Sequence, residues 1–323
     1  MHSTNPDYKP LETRKSPRWR RLRRAVQYVL ARALLAWVGR LSIPAAQRVG
    51  RAIGRIGYAL ARTDRAVCDY QLRIAFPLLD DRARGRMIAR CFQQLGMTAL
   101  EALAMPRLRR ESERWLALEA VATLREAHAR GRGVILVTAH CANWELLSPA
   151  FDRLRIPALA VVRSLANPRL NALMTRQRQS DFMRVVERGG PDAGRQILRC
   201  LKNGNVLVVA IDQDIDAQSV YVNFFGRPAR TPRVAASLAL RMGAAIVTAF
   251  GERRPDGSHC FDFREIPVTA ALRDSAHPEL ELTQVISDAI ESHIRRFPEQ
   301  WAWNHRRWLH RPETPSAPAS PPR

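Results

Sequence analysis

Cysteine is scarce in this sequence and never paired by spacing. Cys68, Cys91, Cys141, Cys200 and Cys260 are scattered, odd in number and without a C-x-x-C. That excludes a disulfide framework and a zinc ribbon, and fits reduced thiols in a cytoplasmic compartment. Neither a P-loop nor a G-x-G-x-x-G occurs, so nucleotide binding has no motif behind it. The first apolar segment, Ala25 to Leu41, is shorter than the roughly 20 residues that cross a bilayer and is interrupted by Arg32 and Arg40. No small-residue cleavage signature follows it, which argues against a removed signal peptide. Acidic residues are also few: 30 Asp plus Glu against 52 Lys plus Arg, nearly all Arg, for a net charge of +22. Such an excess points to an anionic partner, whether nucleic acid, an acidic lipid surface or an acidic protein, and part of it can reflect an Arg-rich genome. The basic residues carry no nucleic-acid-reading motif, so no nucleic-acid partner is expected.

The chain is long enough, at 323 residues, to bury a sizeable core. Residues 1–24 read as a basic, flexible segment, with Arg14 to Arg24 packing seven positive charges and one Trp into eleven residues. Residues 25–41 read as a membrane-associated helix, either lying on the bilayer or forming a short anchor with its basic flank on the cytoplasmic side. Residues 42–311 form the main domain. Small residues at close intervals over Gly50 to Leu60 suggest tight helix packing. Val67 to Phe76, Asp80 to Met105, Trp115 to Ala129, Asn171 to Arg184, Ala193 to Lys202, Pro232 to Met242 and Leu280 to Phe297 read as helices. Val134 to Val137, Ala158 to Val162, Val206 to Ile211, Ala245 to Phe250 and Cys260 to Ile266 read as strands. Alternating strands and helices give an α/β fold: a mostly parallel central sheet flanked by helices, preceded by the N-terminal membrane-associated helix. Residues 312–323 are Pro-rich and expected to be disordered.

The stretch that organises the chain is Gly131 to Glu145, GRGVILVTAHCANWE. A buried parallel strand set off by two glycines runs into His140, and Glu145 follows five residues on. Ligands of open α/β sheets bind beyond the carboxyl ends of the strands, which is where this pair falls. Five helical steps of about 100° would leave the two roughly 140° apart. They can meet only if the chain turns between them, with Asn143 a plausible cap for the helix beyond. A neutral imidazole is the usual general base near neutral pH, and a carboxylate behind it fixes its tautomer and stabilises the imidazolium. Such a dyad suits attack by a substrate hydroxyl on an acyl carbonyl. The same spacing also fits a satisfied histidine at a strand end and a surface glutamate. Cys141 is a sequence neighbour of His140, which is rarely the catalytic partner.

Four blocks in order resemble the bacterial lipid A biosynthesis acyltransferases, the late lauroyl/myristoyl transferases of the lysophospholipid acyltransferase-like group. They are His140-Cys141-Ala142-Asn143-Trp144-Glu145; Val161-Val162-Arg163 with Asn167-Pro168-Arg169-Leu170; Asp212-Gln213-Asp214 followed by Val222 to Thr231; and Pro298 to Trp308, PEQWAWNHRRW. The resemblance runs from about Arg40 to Arg311. It implies transfer of an acyl chain from acyl carrier protein to a lipid A precursor hydroxyl at the cytoplasmic face of the inner membrane, with no cofactor and no metal. It implies His140 as base and Glu145 as its orienting acid. Arg163 is the candidate oxyanion or phosphate ligand, with Asn143 and Asp212 in support. An acidic carrier protein and an anionic membrane surface would both suit the +22 charge. The same chemistry on a lysophospholipid, aminolipid or glycolipid is the alternative. Cys141-Ala142 stands where many relatives have Phe-Gly, and Asn223 where Pro is common.

Overall fold

A computed structural model describes residues 17–312. The basic residues before 17 and the Pro-rich tail from 313 onward, for which flexibility and disorder were expected, lie outside the described residues. Residues 17–24 form the opening turns of the first helix.

Four long helices come first: α1 (Pro17–Val38), α2 (Ile43–Leu60), α3 (Arg62–Ala75) and α4 (Asp81–Leu103). Ser42 caps α2 through its side chain and Asp80 caps α4, as hydroxyl and carboxylate acceptors for the first free N–H groups. The expected tight packing is present where α2 crosses α4. A β-carbon at Gly54 would stand 2.3 Å from the Phe92 carbonyl oxygen, and one at Gly96 would stand 2.2 Å from that of Gly50. Two short helices, α5 (Met105–Arg110) and α6 (Ser112–Trp115), lead into the sheet domain.

That domain runs β1 (Leu116–Glu119), α7 (Val121–Ala129), β2 (Val134–Thr138), α8 (Leu147–Leu154), β3 (Ala158–Val162), α9 (Pro168–Arg178), β4 (Met183–Glu187), α10 (Ala193–Lys202) and β5 (Val206–Ala210). It continues through β6 (Ser219–Phe224), β7 (Arg227–Pro232), α11 (Val234–Met242), β8 (Ala245–Arg253), β9 (His259–Ile266), α12 (Ala270–Arg273) and α13 (Pro278–Arg296). The main sheet has the order β1-β9-β8-β2-β5-β3-β4, and β6-β7 form a separate antiparallel hairpin. Every main-sheet pairing is parallel except β8 with β9, so the expected mostly parallel sheet is present.

Successive side chains of β2 and β5 feed opposite cores. Ile135, Val137, Leu207 and Val209 join α3, α4, α10, α11 and α13 on one face, while Val134, Leu136, Val206 and Val208 join residues of α5, α7 and α8 on the other. Burial on both faces is why these strands read as unbroken apolar runs.

Candidate active site

β2 and β5 are adjacent and parallel, paired from Val134 with Val206 to Thr138 with Ala210. Continued two residues beyond the sheet, that register sets His140 beside Asp212. The Asp212 carboxylate takes His140 with both oxygens. Oδ1 lies 2.8 Å from the ring Nδ1, and Oδ2 accepts the His140 backbone N–H at 2.8 Å. Oδ2 also accepts Trp301 Nε1–H at 2.8 Å. The Asp212 side chain is fully enclosed whereas 23% of the His140 side chain meets solvent. Burial works against charge on His140, but the adjoining carboxylate outweighs it and the imidazole pKa is raised above its ordinary value. Burial likewise disfavours the Asp212 carboxylate, yet His140 and the donated hydrogen bonds hold its pKa well below the usual range.

The carboxylate expected behind the imidazole was Glu145; the one hydrogen-bonded to it is Asp212. Glu145 is engaged elsewhere, its oxygens accepting Arg178 Nε–H at 2.8 Å and Nη2–H at 2.6 Å in a forked ion pair. It acts on His140 only through space. The turn expected between the two is present, and Asn143 caps it: its Oδ1 accepts the Glu145 N–H at 3.2 Å, opening a 3-10 turn at Trp144–Leu146. The Trp144 ring packs edge-on to His140, with ring centroids 4.8 Å apart.

The loop holding His140 is fixed from both sides. The closing segment pairs with it as a short bridge, Ala142 N–H donating to Gln300 O at 2.8 Å and Ala302 N–H to His140 O at 3.1 Å. From below, Thr98 Oγ1–H donates to Ala142 O at 2.7 Å. Asn143 Nδ2–H donates to the fully buried Glu101 at 3.0 Å. Glu101 also accepts Arg253 at 2.5 Å and Gln47 at 2.7 Å, and lies 3.2 Å from His259 Nε2. Sequence spacing gave no sign that this mid-helix glutamate supports the loop. Ala142 sits at φ 47°, a left-handed conformation that favours glycine. Cys141 is buried and its thiol pKa is pushed far up by burial, so it offers no thiolate.

Arg163 is exposed just beyond β3, the neighbour of β5, and no acceptor among the described residues takes its guanidinium. Asp212, expected as a supporting residue, is committed to His140 and Trp301. Trp301, Trp303 and Trp308 are buried as packing residues, and Trp301 is also a hydrogen-bond donor to the site. Among the described residues no group of His, Cys, Asp and Glu is arranged to hold a metal ion. What remains is an imidazole polarised by a buried carboxylate, with Nε2 unpartnered among the described residues. This is a proton acceptor at the carboxyl edge of a parallel sheet.

Comparison with known proteins places that arrangement in a family. The model described as "Bacterial lipid A biosynthesis acyltransferase" matches residues 12–310. The chain is 27% identical to the lipid A biosynthesis lauroyltransferase of Escherichia coli K12, over 86% of this chain and 92% of that protein. It is 28% identical to the palmitoleoyltransferase of the same organism, over 86% and 89%. A phosphatidylinositol mannoside acyltransferase of Mycobacterium tuberculosis matches at 26% over 57% of each chain. The chain is therefore an acyltransferase and belongs to the bacterial lipid A biosynthesis acyltransferase family.

Proposed function

We propose that the protein moves a fatty acyl chain from acyl carrier protein to a hydroxyl of a lipid A precursor, with His140 as general base and Asp212 as its orienting carboxylate. The observation that carries this reading is the Nδ1 hydrogen bond to Asp212, which leaves Nε2 as the acceptor. Nε2 takes the acceptor hydroxyl proton as the oxygen bonds to the thioester carbonyl carbon. The tetrahedral adduct collapses with cleavage of the C–S bond, and the imidazolium returns its proton to the departing thiolate. General base assistance of this kind supplies about 10²–10⁴-fold. Arg163 is available for the oxyanion or for a phosphate of the acceptor. Glu145, through Arg178 at the end of α9, holds the flank of the site.

The donor assignment is supported by the +22 charge, which suits an acidic carrier protein. Membrane association is supported by α1. Leu22, Val26, Val29, Leu30, Leu34 and Trp37 are all exposed and recur at helical spacing as one apolar stripe. Among the described residues no helix is long and apolar enough to cross a membrane, so α1 is read as lying on the surface. Asn167 Nδ2–H donates to Arg24 O at 3.1 Å and Gln27 Oε1 at 3.2 Å, tying α1 to the loop that follows Arg163. An interfacial helix there would bring the site mouth to a lipid acceptor on the cytoplasmic face of the inner membrane.

Mass spectrometry of lipid A from a strain lacking the gene tests this. The expected result is loss of one secondary acyl chain, restored by the wild-type gene and not by His140→Ala. Unchanged lipid A together with loss of an acyl chain from a glycolipid would instead favour the second reading. That reading is motivated by the similarity to phosphatidylinositol mannoside acyltransferases.

A further inference from the structure

The closing segment brings a second imidazole to the site. The His305 ring centroid lies 5.7 Å from that of His140. Its backbone is clamped by Gln71, a buried side chain of α3. Gln71 Nε2 donates to the carbonyls of Trp303 at 2.5 Å and His305 at 2.6 Å, while Oε1 accepts the Arg307 N–H at 2.6 Å. The His305 N–H donates to Ala302 O at 3.2 Å, closing the turn. The residue is open to solvent on one side and its ring lies against His140, with neither ring nitrogen hydrogen-bonded among the described residues. A backbone this constrained, carrying a ring with no partner of its own, is built to present that ring.

Arg163 acts on His305, whereas the charges felt most strongly at His140 are Asp212, Glu145 and Arg178. Partial burial, followed by the nearby His140, holds His305 below its ordinary pKa. When His140 gains a proton during turnover, that repulsion grows, so His305 stays neutral and keeps one N–H to donate. The two rings are 5.7 Å apart, close enough for a base and a hydrogen-bond donor to reach different oxygens of one tetrahedral adduct.

We propose that His305 is the oxyanion donor of this site: its ring N–H hydrogen-bonds the thioester carbonyl oxygen as the tetrahedral adduct forms, freeing Arg163 to hold an anionic group of the acceptor. The inference rests on the reading of His140 as base. Protons balance as before, since His305 donates a hydrogen bond and transfers nothing. The hydroxyl proton goes to His140 and then to sulfur.

Steady-state acyl transfer from acyl carrier protein to a lipid A precursor, with purified full-length protein, tests it. His305→Ala is expected to lower kcat about 10²–10³-fold with KM for both substrates within about threefold. His305→Gln, which restores an N–H, should recover at least about tenfold of that loss. Because neither ring nitrogen holds a hydrogen bond among the described residues, the melting temperature should stay within about a degree; a drop of several degrees in both variants would mark a structural role and overturn the assignment. A kcat within about threefold of wild type, or a raised KM with kcat intact, would also overturn it. His140→Ala, run alongside, separates the two ideas. An active His140→Ala protein ends the parent reading, while an inactive one beside a fully active His305→Ala protein ends only this inference.

Discussion

Asp212→Asn tests the geometry more sharply than any deletion, because it changes a tautomer and little else. In the native site Oδ2 accepts from the His140 backbone and from Trp301 Nε1, while Oδ1 faces the ring Nδ1. Asparagine can keep the first two bonds by turning its oxygen toward them. Its NH2 group then faces Nδ1 and must donate to it. The ring proton moves to Nε2, and the base loses the lone pair it needs. The variant should fold, at a cost of about 1–2 kcal/mol for the weakened bonds. Its kcat should fall by about 10²–10⁴, the range expected when a His base loses its orienting carboxylate. Glu145→Gln breaks only the fork to Arg178 and a through-space interaction, so its effect on kcat should be at least about tenfold smaller. The pH profile adds a second readout. His140 is raised above its ordinary value of about 6.5, so wild-type kcat/KM should fall on the acid side through a midpoint above that. The sign for stability is opposite: a raised histidine pKa contributes fully below about pH 6.5 and fades as pH rises through the folded value. Steady-state transfer assays with both variants decide the matter. An inactive Glu145→Gln beside a fully active Asp212→Asn would refute the reasoning.

Three further outcomes follow from the packing. Glu101→Gln leaves Arg253, 4% exposed, without its buried counter-charge and should cost about 3–5 kcal/mol in urea unfolding. Because Arg253 and His259 overcome burial to depress the Glu101 pKa, the wild-type contribution is present above about pH 4.3 and lost as pH falls toward the folded value. Gly54→Ala drives a β-carbon into the Phe92 backbone and should destabilise by about 2 kcal/mol or more, whereas Gly85→Ala, in α4 with open space around it, should stabilise by about 0.5–1 kcal/mol; thermal melts of the pair compare them directly. The double change Val29→Glu, Leu30→Glu places charge on the exposed stripe of α1 and should weaken binding to anionic vesicles at least about tenfold in co-sedimentation, with the fold unchanged.

The sheet was largely legible because β2 and β5 are buried on both faces, and such strands must be written in apolar residues. Their carboxyl ends, and hence His140 and Asp212, were visible too. What the sequence withheld was strand order. No local pattern says that β5 inserts between β2 and β3, so spacing points to the carboxylate nearest in sequence, Glu145, and not to the one nearest in space. β4 does not stand out because Met183–Glu187 is an edge strand, short and half-polar, and its first two residues read as the end of the helix from Asn171. β1 likewise lies within the stretch Trp115 to Ala129 that reads as one helix. β6 and β7 lack an alternating pattern long enough to stand out. Arg178, His305 and Trp301 reach the site from a helix end and from the closing segment. Their roles depend on contacts across more than thirty residues, which spacing cannot encode. Asn143 was legible for the opposite reason, since a cap is a purely local device.

The most direct measurement is the rate at which purified His140→Ala protein transfers an acyl chain from acyl carrier protein to a lipid A precursor. The imidazole-as-base account predicts a rate reduced by at least about 10²-fold with the melting temperature preserved. Transfer at the wild-type rate would contradict it.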